Sequence, residues 1–268
     1  MSHTLDRIRD AFGDPILVRA GRSLVPTPRA VELKARLDSF MNEAQSLFQP
    51  DEAAHMRTLQ RTLTLRASDG IAGNFAARLC EIVQKEAPGI TLRFVPLGDK
   101  NVEVMRNGQV DLDLGVIGPM GPEIKLQMLF KDRFVGVVRK DHPLARGKVT
   151  AEQFAQFLHV GVSRRGKTSG PIDVALAKLK LKRRVVLVVS DFYAARFAVA
   201  TSDLVGALPE RIANVPLSGK MQDLHSFPLP VSVSSSVISQ AWHPRLDRDP
   251  VHRLLRNSVR EAVRLWKS

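Results

Sequence analysis

Several features that define large classes of protein are scarce or absent in this sequence of 268 residues. Its single cysteine, Cys80, excludes a disulfide framework and makes a reducing cytoplasm the expected compartment. No apolar run approaches the roughly 20 residues that a membrane-spanning helix needs, and no hydrophobic signal segment opens the chain. The sequence therefore predicts a soluble, cytoplasmic protein that is not exported and has no membrane partner.

The motifs of common catalytic and metal sites are also missing. The chain has no phosphate-cradling glycine loop, no HExxH, no CxxC and no GxSxG. Its seven histidines are scattered without the spacing of metal ligands. Cys80 is interpreted as a small, buried apolar residue of a helix. The sequence therefore predicts no cofactor, no metal and no catalytic residue, and it disfavours an enzyme.

Positive charge is abundant but unevenly distributed. The formal net charge of +13 favours a polyanionic partner. Residues 1–50 are nearly neutral, with seven Lys/Arg against six Asp/Glu. Residues 131–184 hold fourteen Lys/Arg against four Asp/Glu, a local excess of +10. Two interpretations of this excess stay open: an ordinary solvated face, or a field that steers DNA or an anionic ligand.

Residues 1–27 combine a helix, a basic hairpin and the start of a second helix. The first helix should end at Phe12, because Gly13 can take the left-handed cap and Asp14-Pro15 cannot continue a helix. Its apolar stripe, spaced i, i+3 and i+7, is Leu5, Ile8 and Phe12. The next residues predict a two-stranded wing with Arg19 and Arg22 near its tip, and Thr27 is the expected N-cap of the following helix. This order is typical of a winged helix-turn-helix DNA reader, and because the first helix lacks partner helices we expect the chain to begin inside such a domain.

Residues 28–60 predict a linker, with a helix to about Phe48 and a polar hinge over 51–60. An apolar seam recurs along this helix at heptad spacing between charged flanks. Its members are Leu33, Leu37, Phe40, Ala44 and Leu47. Two interpretations stay open. The narrow seam favours a dimerisation helix, and the alternative is an ordinary amphipathic helix that packs on its own domain.

From Arg61 onwards, predicted strands alternate with predicted helices. This repetition implies right-handed crossovers and a mainly parallel sheet covered by helices, which is an α/β fold. The same pattern is repeated after residue 140, so residues 61–268 should form two lobes. A cleft between two such lobes is a usual place for a small ligand.

The lobe boundaries follow from the order of the predicted elements. Lobe I should span about 61–139 and 232–268, and lobe II about 140–231. The chain should cross between them near 139–142 and 225–235, with a strand over 231–236. The final helix, over 250–267, should return to lobe I.

Polar residues follow several predicted strands, where α/β sheets place ligands against helix N-termini. Ser68 and Asp69 follow the first strand, and Ile117 ends the third. Ser169 lies in the loop after the first strand of lobe II, and Asp191 begins the helix after VVLVV. Simple N-capping explains Ser68, Asp69 and Asp191 equally well. The two interpretations are compatible, because a cap residue at the cleft can also bind a ligand.

The residues resemble the LysR-type transcriptional regulators. FGDPILVRAGRSLVPTPRA is similar to the wing and linker start of that family. Further similar stretches are RASDGIAGNFAARL, NGQVDLDLGVI, VVRKDHPLA, ATSDLVGALPERIA and WHPRLDRDPVHRLLR, the last resembling regulators of nodulation and aromatic degradation. The resemblance covers essentially the whole chain, but the family's first helices and half of the recognition helix are missing. It implies a linker helix that pairs in a homotetramer and a periplasmic-binding-protein-like effector domain over 61–268.

The resemblance also implies roles for individual residues. Those expected to contact DNA are Ser2, His3 and Arg7 in the major groove, and Arg19, Arg22 and Thr27 at the phosphates. Those expected to line the inducer cleft are Ser68, Asp69, Ile117, Ser169 and Asp191. We expect the carboxylate of Asp191 to disfavour a ligand that is a simple carboxylate.

The sequence thus predicts a DNA-binding transcriptional regulator controlled by a small-molecule inducer, with aromatic compounds as one class. Expected partners are double-stranded promoter DNA, the inducer, further copies of the chain and RNA polymerase. Inducer binding should bias lobe closure and so change the spacing of paired DNA readers. The alternatives are a stand-alone cytoplasmic module that binds a small molecule without DNA and, less favoured, an α/β enzyme.

Overall fold

The computed structural model describes residues 3–21, 23–48, 56–98, 101–215 and 224–266, without the side chains of residues 42, 43 and 45–48. The chain divides into two compact units, Met1–His55 and Met56–Ser268.

The first unit has the predicted helix, wing and long helix. Its elements are α1 (His3–Phe12), β1 (Leu17–Ala20), β2 (Ser23–Pro26) and α2 (Pro28–Phe48). Strands β1 and β2 are antiparallel, with Val18 opposite Val25. Gly13 takes a φ of +60° after α1, as a helix-terminating glycine does. The hydroxyl of Thr27 accepts a hydrogen bond of 3.0 Å from the backbone N–H of Ala30, which confirms the predicted N-cap.

The second unit alternates strands and helices, as predicted. Its elements in chain order are β3 (Arg61–Ala67), α3 (Asp69–Glu86), β4 (Ile90–Val95), α4 (Glu103–Arg106), β5 (Leu112–Gly115), β6 (Lys125–Asp132), β7 (Phe134–Arg139), α5 (Ala151–Gln156), β8 (Leu158–Val162), α6 (Pro171–Lys178), β9 (Arg184–Val189), α7 (Phe192–Ala200), β10 (Gly206–Pro209), α8 (Glu210–Ala213), β11 (Leu224–Pro228), β12 (Ser236–Trp242) and α9 (Pro250–Trp266).

The sheet of lobe I has five strands in the order β4-β3-β5-β12-β6. Strand β3 is parallel to β4 and β5, whereas β12 is antiparallel to β5 and β6. Four of these five strands therefore run in the same direction, so the predicted mainly parallel sheet is confirmed for lobe I apart from β12. Strand β12 enters from lobe II and runs in the opposite direction to β5.

Helices α3 and α9 cover one face of this sheet. Phe75, Leu79 and Val83 of α3 and Leu255 and Val259 of α9 belong to one buried cluster with the sheet. Burial of each such side chain contributes roughly 1.5–3 kcal/mol. The final helix therefore returns to lobe I, as predicted.

Cys80 lies next to this stripe on α3, but its own side chain is exposed. The prediction that Cys80 is buried was therefore wrong. The helix turns its Leu79 face into the core, and the following position points to solvent.

Lobe II contains two small sheets. One is antiparallel with the order β10-β7-β11, and the other is the parallel pair β8-β9. A parallel bridge between His159 and Val205 adds to the second pair. Helix α6 connects β8 to β9, and α7 packs its buried Ala195 and Val199 against both sheets' strands.

The crossings between the lobes differ in part from the prediction. Strand β6 belongs to lobe I and β7 to lobe II, so the first crossing lies at Arg133 rather than near 139–142. The second crossing lies between β11 and β12, within the predicted range 225–235. The strand expected over 231–236 begins only at Ser236. Its pairing with β6 starts there, opposite Asp132, which is the last residue of β6.

No helix among the residues that the structure describes is both long and apolar enough to span a membrane.

Candidate functional site

A cavity of about 340 Å³ lies between the two lobes of the second unit. Ser68 and Val116, from loops that follow β3 and β5, line it on the side of lobe I, and Ser163 and Ser190 line it on the side of lobe II. Ser236, at the start of β12, lies at the second crossing and also lines it. The carboxyl ends of parallel strands from both lobes thus meet at one cavity, which is where α/β folds place ligands.

Ser68 and Asp69 occupy the lobe I side, as predicted. Ser68 is the N-cap of α3, and its hydroxyl accepts a hydrogen bond of 3.3 Å from the backbone N–H of Ile71. Asp69 is the first residue of α3 and lines the cavity. Capping and lining therefore coincide here.

Asp191 occupies the facing side in lobe II. Its Oδ1 accepts a hydrogen bond of 2.9 Å from the backbone N–H of Ala194, and its Oδ2 accepts one of 3.3 Å from the hydroxyl of Ser190. The side chain is half-buried and lines the cavity. The predicted N-cap is confirmed, and its position at the cavity is compatible with the predicted second role.

Asp132 is a cavity residue that the sequence interpretation missed. It ends β6 directly opposite Ser236, and only 8% of it is exposed. The backbone N–H groups of Arg133 and Arg211 donate to its carboxylate, but burial outweighs them and raises the pKa of Asp132 above its ordinary value.

An arginine and two aromatic rings form a contact across the lobes beside the cavity. The guanidinium carbon of Arg211, on α8 of lobe II, lies 4.5 Å from the ring centroid of Phe130 and 5.0 Å from that of Trp266. These rings, from β6 and α9, meet edge to face at 5.5 Å and both line the cavity. The cation thus holds lobe II against an aromatic wall of lobe I.

Ile117 and Ser169 lie outside this cavity. Strand β5 ends at Gly115, and Ile117 packs instead on the apolar cluster of Met105, Val110 and Ala241. Ser169 lines a smaller cavity of about 140 Å³ in lobe II. Phe134 and Phe192, whose ring centroids are 5.9 Å apart, line both cavities.

The interlobe cavity combines apolar walls with more negative than positive charge. Its carboxylates are those of Asp69, Asp132 and Asp191, and its cation is that of Arg164. Such a site suits a ligand with an apolar body that donates hydrogen bonds or carries positive charge. In the part of the chain that the structure describes, no three His, Cys, Asp or Glu side chains are grouped as a metal site would require.

The side chains predicted to contact DNA lie in the first unit. His3 and Arg7 on α1 and Arg19 on the wing are exposed. Thr27 is buried, its hydroxyl donates to Asp14 at 2.7 Å, and its backbone N–H donates to Ile16. Ser2 and Arg22 lie outside the described residues.

The heptad seam of α2 is only partly covered within this unit. Leu37 and Phe40 are exposed, and Leu33 and Ala44 are half-buried. The side chain of Leu47 is not among those that the structure describes.

A two-lobed α/β architecture with a cavity between the lobes is typical of domains that bind a small molecule, and here it is joined to a helix–wing–helix unit. Residues 57–264 match the LysR substrate binding domain family. The chain belongs to the LysR-type transcriptional regulators.

Curated relatives of this chain are named as transcriptional activators or regulators and not as enzymes. It is 28% identical to the activator NahR of Pseudomonas putida over 93% of this chain and 83% of that protein. It is 30% identical to the activator NagR of a Ralstonia species over 96% of this chain and 85% of that protein. It is 31% identical to the regulator SyrM of Rhizobium etli over 98% and 77%, respectively.

Solved structures show the same architecture. A probable transcriptional regulator from Pseudomonas aeruginosa superposes with a TM-score of 0.67 at 28% identity. The superposition covers 96% of this chain and 85% of that one. The chain is therefore a transcriptional regulator with an effector-binding domain.

Proposed function

We propose that this chain is a DNA-binding transcriptional regulator controlled by a small molecule in the interlobe cavity. The observation that carries the proposal is the cavity, because it is enclosed by both lobes and lined by polar groups from each. A ligand there contacts two bodies at once, so its affinity depends on how the lobes are arranged.

DNA contacts are assigned to the first unit. His3 and Arg7 on α1 suit base edges and backbone in the major groove, and Arg19 suits a phosphate, since all three are exposed. Ser2 and Arg22 stay assigned to DNA from the sequence. Thr27 has both of its donors engaged within the unit. We therefore assign it the role of holding the wing against α2 rather than a phosphate contact.

Self-association is assigned to α2. Leu37 and Phe40 are exposed apolar residues at heptad positions, and such a seam is stable in water only when a second helix covers it. Leu33, Ala44 and Leu47 continue the same seam in the sequence. We infer a dimer through α2. A homotetramer and a contact with RNA polymerase are further proposals, which rest on the resemblance to the family. A regulator of this kind acts on chromosomal DNA, so we place it in the cytoplasm.

The ligand class follows from the charge of the cavity. Three carboxylates face one arginine, so a simple anion meets net repulsion, whereas a phenol, an alcohol or an amine finds acceptors. Asp132 is the strongest candidate for such a contact, because its carboxylate is nearly buried at the crossing of the two lobes. Asp191 remains a candidate, because its carboxylate, like that of Asp132, accepts two hydrogen bonds within the protein and keeps further lone pairs for a ligand.

Transcription in vitro tests this function. Promoters are first selected from fragmented genomic DNA by their affinity for the chain, and transcription is then measured with and without phenols, aromatic amines and aromatic acids. Val116→Trp fills the cavity, and Val174→Trp is the control because Val174 is also an exposed valine but lies on α6 outside the cavity.

We expect wild type and Val174→Trp to respond to the same ligand and Val116→Trp to bind the promoter without responding. An unaltered response of Val116→Trp would refute ligand control through this cavity. Failure to select any specific DNA would instead favour a stand-alone ligand-binding module, since the cavity lies wholly within the second unit.

A further inference from the structure

Residues 178–184, called the basic turn below, connect α6 to β9 in lobe II and carry half of the local excess of +10 in residues 131–184. Between Val174 and Ser190 the sequence has five Lys/Arg and no acidic residue. Lys178, Lys180 and Lys182 are exposed, as is Arg184. None of these four has an ion-pair partner in the part of the chain that the structure describes. The turn is therefore a concentrated and uncompensated cationic surface.

The fifth basic residue, Arg183, has a different role. It is buried, and its Nε and Nη2 donate to the carboxylate of Asp173 at 2.9 and 3.0 Å. This bidentate pair ties the end of the turn to the first turn of α6.

The backbone of the turn is also fixed. The N–H of Lys180 donates to the carbonyl of Ala177, and the N–H of Leu181 donates to the carbonyl of Leu176, which is the Schellman arrangement of a helix end. Leu181 packs on the hydrophobic core of lobe II. The exposed cations are thus mounted on a backbone held by Leu181 and Arg183, so little further ordering is needed when they meet a partner.

Lys180 stands where helix ends usually place glycine. Its φ is +58°, a left-handed conformation that side-chain-bearing residues adopt only with strain. Favourable interaction of lysines with the C-terminal end of α6 explains Lys178, but it gives no reason for Lys182 or Arg184, which lie beyond the helix.

The position of the turn separates it from the ligand cavity. Strands β8 and β9 are parallel, with Leu158 opposite Arg184 at their amino ends and Val162 opposite Val189 at their carboxyl ends. The cavity residues Ser163 and Ser190 follow the carboxyl ends. The basic turn lies at the other end, about 16 Å away along the strands. It is therefore placed to meet a partner other than the cavity ligand.

We propose that the basic turn of lobe II binds the phosphate backbone of DNA. The inference rests on the proposed function in taking DNA as the partner, but it assigns the contact to the effector domain. DNA presents closely spaced negative charges without a sequence requirement, which matches a row of exposed lysines with no base-reading geometry. Residues 131–184 hold a net +10 of the chain's +13, whereas residues 1–50 hold only +1, so lobe II supplies most of the electrostatic attraction for DNA.

The test is fluorescence anisotropy of the full chain with a short duplex of arbitrary sequence, at salt concentrations between about 50 and 200 mM. The variant K178Q/K180Q/K182Q removes three charges from the turn. The matched control K85Q/K125Q/K131Q removes three charges from exposed lysines of lobe I. The variant K178R/K180R/K182R keeps the charge.

We expect the glutamine variant of the turn to have a slope of log K against log[salt] that is shallower than that of wild type by about 2.7. Over this salt range wild type should therefore lose about 40-fold more affinity than the variant. The control and the arginine variant should keep the wild-type slope. An equal change in the turn variant and the control would overturn the proposal, because bulk charge would explain it. An unchanged slope in the turn variant would overturn it as well.

Lys180→Gly separates DNA binding from a role in folding. Glycine relieves the left-handed strain, so the melting temperature should rise by about 2 °C while DNA affinity falls. A rise in melting temperature with unchanged DNA affinity would assign Lys180 to the helix end alone and count against the proposal. If the chain selected no specific promoter, the proposed function would fail, whereas these salt slopes would still report on the basic turn.

Discussion

The guanidinium carbon of Arg211 lies 4.5 Å from the ring centroid of Phe130, and this contact joins the two lobes beside the cavity. Arg211 belongs to α8 of lobe II and Phe130 to β6 of lobe I. The same cation also lies over Trp266, and both rings line the cavity. A ligand that fills the cavity therefore touches the aromatic wall on which the lobes are held together.

Arg211→Ala tests this contact. We expect the free energy of unfolding to fall by about 1–2 kcal/mol, because two cation–π contacts are lost. Urea unfolding measures it. Arg133→Ala is the control, since it removes only an exposed ion pair with Glu210 and should cost less than about 0.5 kcal/mol. Equal effects of the two substitutions would show that Arg211 is an ordinary surface cation.

Gly73 allows α3 of lobe I to approach α7 of lobe II closely. A Cβ atom at Gly73 would lie 2.7 Å from Cε2 of Tyr193. We expect Gly73→Ala to force these helices apart at a cost of about 1–3 kcal/mol and to weaken ligand binding. Calorimetric melting temperatures and ligand titrations measure both effects. Gly118→Ala is the control, because nothing lies within 4 Å of its Cβ position. Wild-type behaviour of Gly73→Ala would mean that this approach is not needed.

His159 makes the effector domain sensitive to acid. Burial is the main cause that lowers its pKa to about 4, and its Nε2 is hydrogen-bonded to the carbonyl of Phe154 at 2.8 Å. In the unfolded chain the pKa of His159 is 6.5, so between that pH and about 4 the unfolded state binds a proton that the folded state does not. The free energy of unfolding therefore has its full value above pH 6.5 and falls as the pH drops towards 4. The loss amounts to about 3 kcal/mol.

Urea unfolding of wild type and His159→Gln across this pH range checks the prediction. The glutamine keeps a donor near the position of Nε2 but does not titrate. The slope of the free energy of unfolding against pH should therefore be smaller in the variant than in wild type, by the equivalent of about one bound proton. Parallel curves for the two proteins would contradict the assignment to His159.

The titration of Asp132 should change the stability of the folded state with pH in the opposite direction. Its pKa is raised in the folded state, mainly by burial, so its contribution is most favourable below the unfolded value of 3.8 and is lost as the pH rises through the folded value. We expect Asp132→Asn to be more stable than wild type at neutral pH, with the difference vanishing in acid. Melting temperatures from acid to neutral pH measure this difference. A variant that is less stable than wild type at neutral pH would contradict it.

The sequence was sufficient for features that depend on neighbouring residues. The N-caps at Thr27, Ser68 and Asp191 follow from a side chain that reaches a backbone N–H three residues further on. Ser68, Asp69 and Asp191 were then placed at the cavity because the carboxyl ends of parallel strands share one edge.

The remaining cavity residues depend on contacts between distant parts of the chain. Asp132 lies at the cavity only because β6 pairs with β12, which is about a hundred residues away in sequence. Trp266 reaches it only because α9 returns across lobe I. Ile117 was wrongly placed because β5 ends at Gly115, whose φ of +142° redirects the chain before Ile117. No local pattern specifies these three positions.

The emission of Trp266 provides the most direct measurement of ligand control through the cavity. The chain has two tryptophans, so Trp242→Phe leaves Trp266 as the only one, in the cavity wall and against Arg211. This variant is titrated with tyramine, catechol and benzoate, with and without Asp132→Asn. We expect tyramine or catechol to change the emission saturably, benzoate to leave it unchanged, and Asp132→Asn to weaken the response at least tenfold. Saturable binding of benzoate with equal affinity in the presence and absence of Asp132 would contradict this expectation.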